Sequence, residues 1–152
     1  SWDSAFPRMI GYGLLEDQEV GKTFYVSVTH LDHLGAEARV GQARMIAEWI
    51  RAHPGPHILM GDFNQPPDSR VHEILTDPRI GLLDTWQVLG KGQGPEGWTH
   101  HDFHGVPHKF RMDWILAGRS FDVVRAEIVR DHKDGVYPSD HFPYWADLCW
   151  AS

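Results

Sequence analysis

The chain has 152 residues, of which 41% are hydrophobic, seven tryptophans and seven phenylalanines among them, enough for the core of one globular domain. A formal charge of −7 and a pI near 5.8 lack the basic excess of a protein that holds nucleic acid by nonspecific phosphate contacts, so a polyanionic substrate would need a metal or a local basic patch. Cys149 is the only cysteine, which excludes an internal disulfide, and no apolar run approaches the ~20 residues of a membrane-spanning helix. The aromatic surroundings of Cys149, between Tyr144 and Trp150, predict a buried thiol. The opening Ser-Trp-Asp-Ser lacks the basic start and apolar core of a signal peptide, so a soluble chain is expected, with its compartment unspecified.

In chain order, Glu16 and Glu19 read as a turn ahead of a strand over residues 23–30, which is β-branched and aromatic and ends on His30. From Ala36 to Ala52, Val40, Ala43, Ala47 and Ile50 recur at helical spacing, Ile46 widens the stripe, and His53-Pro54-Gly55-Pro56 ends the helix. A short buried strand over 57–60 empties into Gly61-Asp62-Phe63-Asn64, and Gln65-Pro66-Pro67-Asp68 turns the chain into a short helix near 70–76. Residues 90–97 are a glycine-rich surface loop; a phosphate cradle there lacks both a strand-to-helix context and a Gly-Lys-Ser/Thr sequence. Three more strands read over 112–117, 123–129 and 142–150, with a turn around Gly118 to Asp122. Phe142, Tyr144 and Trp150 alternate as core aromatics, while Trp86 and Trp98, near loops, suit a substrate wall.

Four segments put metal-competent or proton-transferring side chains at strand ends: Thr29-His30-Leu31-Asp32, Gly61-Asp62-Phe63-Asn64, Arg111-Met112-Asp113-Trp114, and Ser139-Asp140-His141-Phe142. Each alone is ordinary turn or capping chemistry. Together, with Trp2-Asp3, Phe6-Pro7-Arg8, Arg39, Gln42, Thr99-His100, Phe103 and Gly105, they resemble the endonuclease/exonuclease/phosphatase superfamily over nearly the whole chain.

That resemblance implies an α/β fold, part of a four-layered α/β/β/α sandwich with mixed and mostly antiparallel sheets and the site at one edge. It implies a metal-dependent hydrolase of phosphoesters, chiefly phosphodiesters, with Mg²⁺ or Mn²⁺ as cofactor, because an oxygen-rich donor set suits a hard divalent ion. By the same resemblance Asp140 is the metal-side carboxylate, and His141 meets the scissile phosphate or the water. Asp113 orients His141, Asp62 activates the water or serves the leaving group, and Asn64 and His30 donate to phosphoryl oxygens. Arg111 shares a strand face with Asp113 and reads as either a salt-bridge partner or a phosphate contact; Trp98 is a candidate substrate contact. His100, His101, His104 and His108 could suggest zinc, but without cysteine in a glycine-rich loop they read as solvated or substrate-rim groups.

The superfamily's earlier strand ending in Asn, and the one bearing a metal-binding Glu, have no counterpart here. The single domain over 1–152 is therefore expected to be N-terminally incomplete, and either to belong to a longer protein, or to associate through the uncovered sheet face, or to show a reduced sheet with an exposed apolar patch. Asp32 is the first candidate for a replacement carboxylate. The rival reading is a silent phosphate-binding or interaction module, and a nucleic acid, a phospholipid headgroup or a sugar phosphate are all compatible substrates.

Overall fold

A computed structural model describes residues 2–152 as a mixed α/β domain. The elements are β1 (Ile10–Asp17), β2 (Lys22–His30), α1 (Ala36–Ala52), β3 (His57–Asp62), α2 (Arg70–Leu75), β4 (Leu82–Asp84), α3 (Thr85–Val88), β5 (Asp113–Gly118), β6 (Phe121–Ile128) and β7 (Tyr144–Trp150). Five strands form one sheet in the order β1-β2-β3-β5-β4, parallel only between β2 and β3, and β6 pairs with β7 in a second, two-stranded antiparallel sheet.

Strand β1 corrects the reading of Glu16, which is not in a turn but pairs with Thr23. Gly11 and Gly13 weaken the strand signal, and β1 is an edge strand whose only partner among the described residues is β2. Helix α1 follows its predicted bounds, although Gly35 gives it no side-chain cap. Two carboxylates from elsewhere take over that role: Asp3 accepts from the Ala38 amide at 2.8 Å and Asp32 from the Gly35 amide at 2.7 Å, both placing negative charge at the helix's positive end. Trp2 lies so close over Gly41 that a side chain there would strike its ring.

One sheet face carries Tyr25, Ser27, Leu59, Trp114 and Leu116 and packs beneath the helices; Leu31, Ala43, Ile46, Ile50, Phe63 and Leu75 complete that core. Phe63 stacks on Trp114 with ring centres 4.4 Å apart. The opposite face carries Phe24, Val26, Val28 and Met60, and the second sheet covers its lower end, where Phe24 sets its edge to Phe121 and Trp150. Trp150 Nε1 also donates to Asp17 at 2.8 Å, joining the last strand to the first. On this face Val28 and Leu15 stay about half exposed. Cys149 corrects another expectation: it lies on the outer face of the two-stranded sheet and is exposed. Among the described residues no helix is long and apolar enough to cross a membrane.

Candidate active site

Register alone assembles three of the expected side chains. His30 pairs with Asp62 across β2 and β3, and Asp62 pairs with Asp113 across β3 and β5, so the three sit in a row at one end of the sheet, on the face away from the helices. Gly61 makes the approach possible: its φ of 151° lies outside the range of ordinary side chains, and a Cβ would run into the Thr29 carbonyl. Beyond the strand, Asn64 adopts a left-handed φ of 50°, its amide donating to Asp62 Oδ1 at 2.8 Å. One N–H of the Asn64 side chain is committed to the Leu31 carbonyl at 3.0 Å, which leaves its second N–H free.

The fourth residue arrives from the turn before β7. The Ser139 hydroxyl accepts from the His141 amide at 3.1 Å, and His141 Nδ1 donates to Asp113 Oδ2 at 2.7 Å. That bond fixes the ring and points Nε2 at the row, 3.8 Å from Asp62 Oδ2; His30 Nε2 stands 3.4 Å from the same oxygen. The Asp113 hydrogen bond raises the pKa of His141 above its ordinary value against the opposing effect of burial. Asp62 is also raised, by burial first and then by the charge of Asp113. A cavity of about 320 Å³ opens beside them, lined by Asp62, Asp113, Ser139, His141 and Tyr144.

Thr99, part of the resemblance but without a role in it, holds this arrangement together. It is fully buried; its hydroxyl accepts from the amides of Met112 and Asp113 at 3.3 Å each, and its carbonyl accepts from Phe142 at 2.7 Å. One residue thereby ties the start of β5, which bears Asp113, to the segment bearing His141. The next residue, His100, forms a backbone bridge with His141, and burial, followed by the charge of His141, lowers its pKa.

Several expected residues lie elsewhere. Arg111 is not a substrate contact: it is buried, and its guanidinium donates to Asp84 Oδ2 at 2.8 Å, an oxygen that also accepts from His72 Nε2 at 2.8 Å. Trp86 is no substrate wall, being buried in α3 with its indole N–H on the Gly92 carbonyl. Trp98, half-buried, donates to the Gln93 carbonyl within its own loop. Asp32 is no spare metal ligand: it is wholly buried, the amides of Gly35, Ala5, Phe6 and Leu34 converge on it, and they hold its carboxyl far below the usual range. Of the four loop histidines, His101 is buried and stacked on Phe142 rather than solvated. Only His100 among the four joins a group able to hold a metal among the described residues; the two such groups are His100, Asp140 and His141, and Asp62, Asp113 and His141. The Asp140 side chain is 45% exposed, and its carboxylate accepts a single weak hydrogen bond, from Ser139 at 3.4 Å, while its carbonyl accepts from the His101 and Asp102 amides.

A family model described as the endonuclease/exonuclease/phosphatase family matches residues 4–141. No curated protein matches the chain. Among solved structures, a protein of that family from Bacteroides vulgatus is 30% identical with a TM-score of 0.86, covering 99% of this chain and 58% of its own. One from Bacteroides thetaiotaomicron is 25% identical at 0.86, covering 99% and 59%, and a mannosyl-6-phosphatase from the same organism is 26% identical at 0.82, covering 98% and 60%. The chain thus spans about three fifths of the length of these structures.

Proposed function

The chain belongs to the endonuclease/exonuclease/phosphatase family, and from that premise we propose that it carries the greater part of the active site of a divalent-metal-dependent phosphoester hydrolase. The observation that carries this reading is the row His30, Asp62, Asp113 with His141 bonded behind it and its Nε2 facing the cleft. A phosphoester is an anion attacked by a weak nucleophile, so its hydrolysis needs a proton acceptor for water and positive donors around the phosphoryl oxygens.

Asp62, whose raised pKa brings it nearer to the range useful for proton transfer, takes the proton of the attacking water. As the water oxygen bonds to phosphorus, the ester P–O bond breaks and the leaving oxygen takes a proton from solvent water, to which Asp62 later returns the one it accepted. His141, whose protonated form the Asp113 hydrogen bond favours, donates to a phosphoryl oxygen; His30 and the free N–H of Asn64 donate from the other side.

The residues also fit a divalent cation. Asp140 offers a half-exposed carboxylate that no strong donor occupies, and the crowding of Asp62 against Asp113 favours a positive charge nearby. Asp140 would hold it, with Mg²⁺ or Mn²⁺ the ion, and when bound it supplies charge neutralisation at the phosphoryl oxygens. The likeness to a mannosyl-6-phosphatase favours a sugar phosphate as the first substrate to try.

The test is hydrolysis by the full-length protein of mannose 6-phosphate, bis-nitrophenyl phosphate, an inositol phosphate, sphingomyelin and a DNA oligomer, each with Mg²⁺ or Mn²⁺ and with excess chelator. Turnover of at least one, abolished by the chelator, is expected. No turnover of any would turn the reading to a silent phosphate-binding module, and turnover unaffected by chelator would remove the metal.

A further inference from the structure

We propose that the cleft beside the C-terminal end of α1 is a second oxyanion site, in which Arg51 and Arg119 take the phosphoryl group of a phosphate ester or free phosphate. The inference rests on the charge and shape of that cleft and does not depend on the proposed function.

Two adjoining cavities form the cleft. One, of about 250 Å³, lies between α1 and α2 with Arg44, Arg51, Arg70 and Arg79 in its lining. The other, of about 440 Å³, a size usual for small-ligand pockets, shares Arg51 and Arg79 and extends to Arg119 and Ser120 in the turn between β5 and β6. The two linings hold five of the ten arginines of a chain whose formal charge is −7. Their three acidic residues, Glu48, Glu73 and Asp77, all border the smaller cavity, so the larger has three arginines and no carboxylate in its lining.

Two of those carboxylates are already occupied. Arg70 donates to Glu73 at 2.8 Å, and Arg79 grips Asp77 through Nε at 3.0 Å and Nη2 at 2.8 Å. The arginine ion pairs among the described residues leave out Arg44, Arg51 and Arg119. Arg51 stands in the last turn of α1, where the helix dipole favours a cation, and Arg119 is exposed on its turn. A guanidinium presents a planar fork of N–H donors that fits an oxyanion with two parallel bonds, and a phosphoryl group brings up to two negative charges and three acceptor oxygens. Because Asp77 neutralises Arg79, the larger cavity is left with two unpaired cations, Arg51 and Arg119, which match the charge of such a dianion.

This cleft does not hold the ester that is cleaved. His57 and Gly118 border it, at the opposite ends of β3 and β5 from Asp62 and Asp113 and roughly 16 Å along the strands from them. Helix α1 borders it as well, whereas the catalytic row is on the sheet face away from the helices.

The test follows backbone amide shifts of the full-length protein by nuclear magnetic resonance while inorganic phosphate and mannose 6-phosphate are titrated in separately. Saturable shifts at Gly81, Gly118 and Ser120 are expected with at least one of the two. Tighter binding of mannose 6-phosphate would mark an organic ester as the ligand, and equal or tighter binding of inorganic phosphate would mark the free anion. Arg51→Gln and Arg119→Gln should each raise the Kd read at the cleft at least about tenfold, the scale of a lost charge-assisted hydrogen bond, while any shift at Asn64 and His141 stays as it was. Both side chains are exposed, so the variants should fold; Arg51→Lys and Arg119→Lys, which keep the charge and lose the fork, serve if either does not. No saturable cleft shift with either phosphate at about 10 mM, or cleft shifts unchanged in the folded variants, would overturn the proposal. So would binding there of a glutamate-rich peptide but of neither phosphate. These readouts are independent of turnover, so a protein without hydrolytic activity that still binds phosphate through Arg51 and Arg119 would sink the hydrolase reading and keep this one.

Discussion

Two histidine–aspartate pairs in this protein are almost identical as bonds and opposite in consequence. His141 and Asp113 meet at 2.7 Å, each about one-fifth exposed, while His72 and Asp84 meet at 2.8 Å with almost no exposure. His72 has its second nitrogen turned to the Thr76 hydroxyl at 3.5 Å, and Asp84 is shared with Arg111. His141 keeps Nε2 unbonded, facing a second carboxylate and an open cavity. The bond itself therefore does not mark a site; a free nitrogen beside a cleft does. The buried pair is neutralised by a cation and joins α2 to β4 and β5, whereas the exposed pair keeps its hydrogen-bonding capacity for something that comes and goes.

The largest expected effect breaks the buried member. Arg111→Ala removes one partner of a buried network and should cost about 3–5 kcal/mol of stability. For a domain of this size that lowers Tm by roughly 6–20 °C, read by calorimetry. A normal Tm with lost turnover would instead make Arg111 a substrate contact.

At the exposed member the effect should move from stability to rate. His141→Ala is expected to lower kcat by at least ~10²-fold with a Tm change of only a few degrees. Asp113→Asn combined with His141→Ala should be little worse than His141→Ala alone, since the two act as a unit. Losses that multiply would show that the pair is not one.

Thr99→Val is a subtler probe, because it keeps the shape and removes the hydroxyl that accepts the Met112 and Asp113 amides. Leaving buried donors unpaired costs about 1–3 kcal/mol, and a looser Asp113 should lower kcat roughly tenfold, with Thr99→Ser restoring most of it. Equal kcat in Thr99→Val would deny that the tie matters to the site.

The smallest effect concerns acid. Although burial pushes Asp84 up, the hydrogen bond from His72 and the charge of Arg111 hold its pKa below the ordinary value. A depressed carboxylate contributes stability that is present above its unfolded pKa, about 3.9, and is lost as pH falls through the folded value. Denaturant titrations below about pH 4 should show stability falling, with a shallower slope in Asp84→Asn.

What could be read in the sequence was what short stretches of chain encode. Helix α1 announces itself by the spacing of Ala43, Ala47 and Ile50 and by the Pro54-Gly55-Pro56 stop, and β2, β3 and β5 deliver His30, Asp62 and Asp113 to their ends as expected. Partnerships across distance were not legible. The salt-bridge reading of Arg111 had no partner to name, because Asp84 lies 27 residues earlier. Thr99 bonds to amides 13 and 14 positions away, and nothing in its neighbours hints at that. Cys149 was misplaced because a two-stranded sheet has only one face to cover, so an aromatic neighbourhood in sequence does not mean burial.

The bond from Trp150 to Asp17 has a consequence in time. The two residues are 133 positions apart, so at a synthesis rate of ~5–20 residues per second Asp17 waits about 7–27 s for its partner. Throughout that interval the helices and the β1–β2 hairpin can form, being local, while Asp62 and Asp113 emerge without His141. The dyad is thus completed only when nearly all of this stretch has been made, and a nascent chain stalled short of residue 141 would carry a folded helix face but no competent dyad.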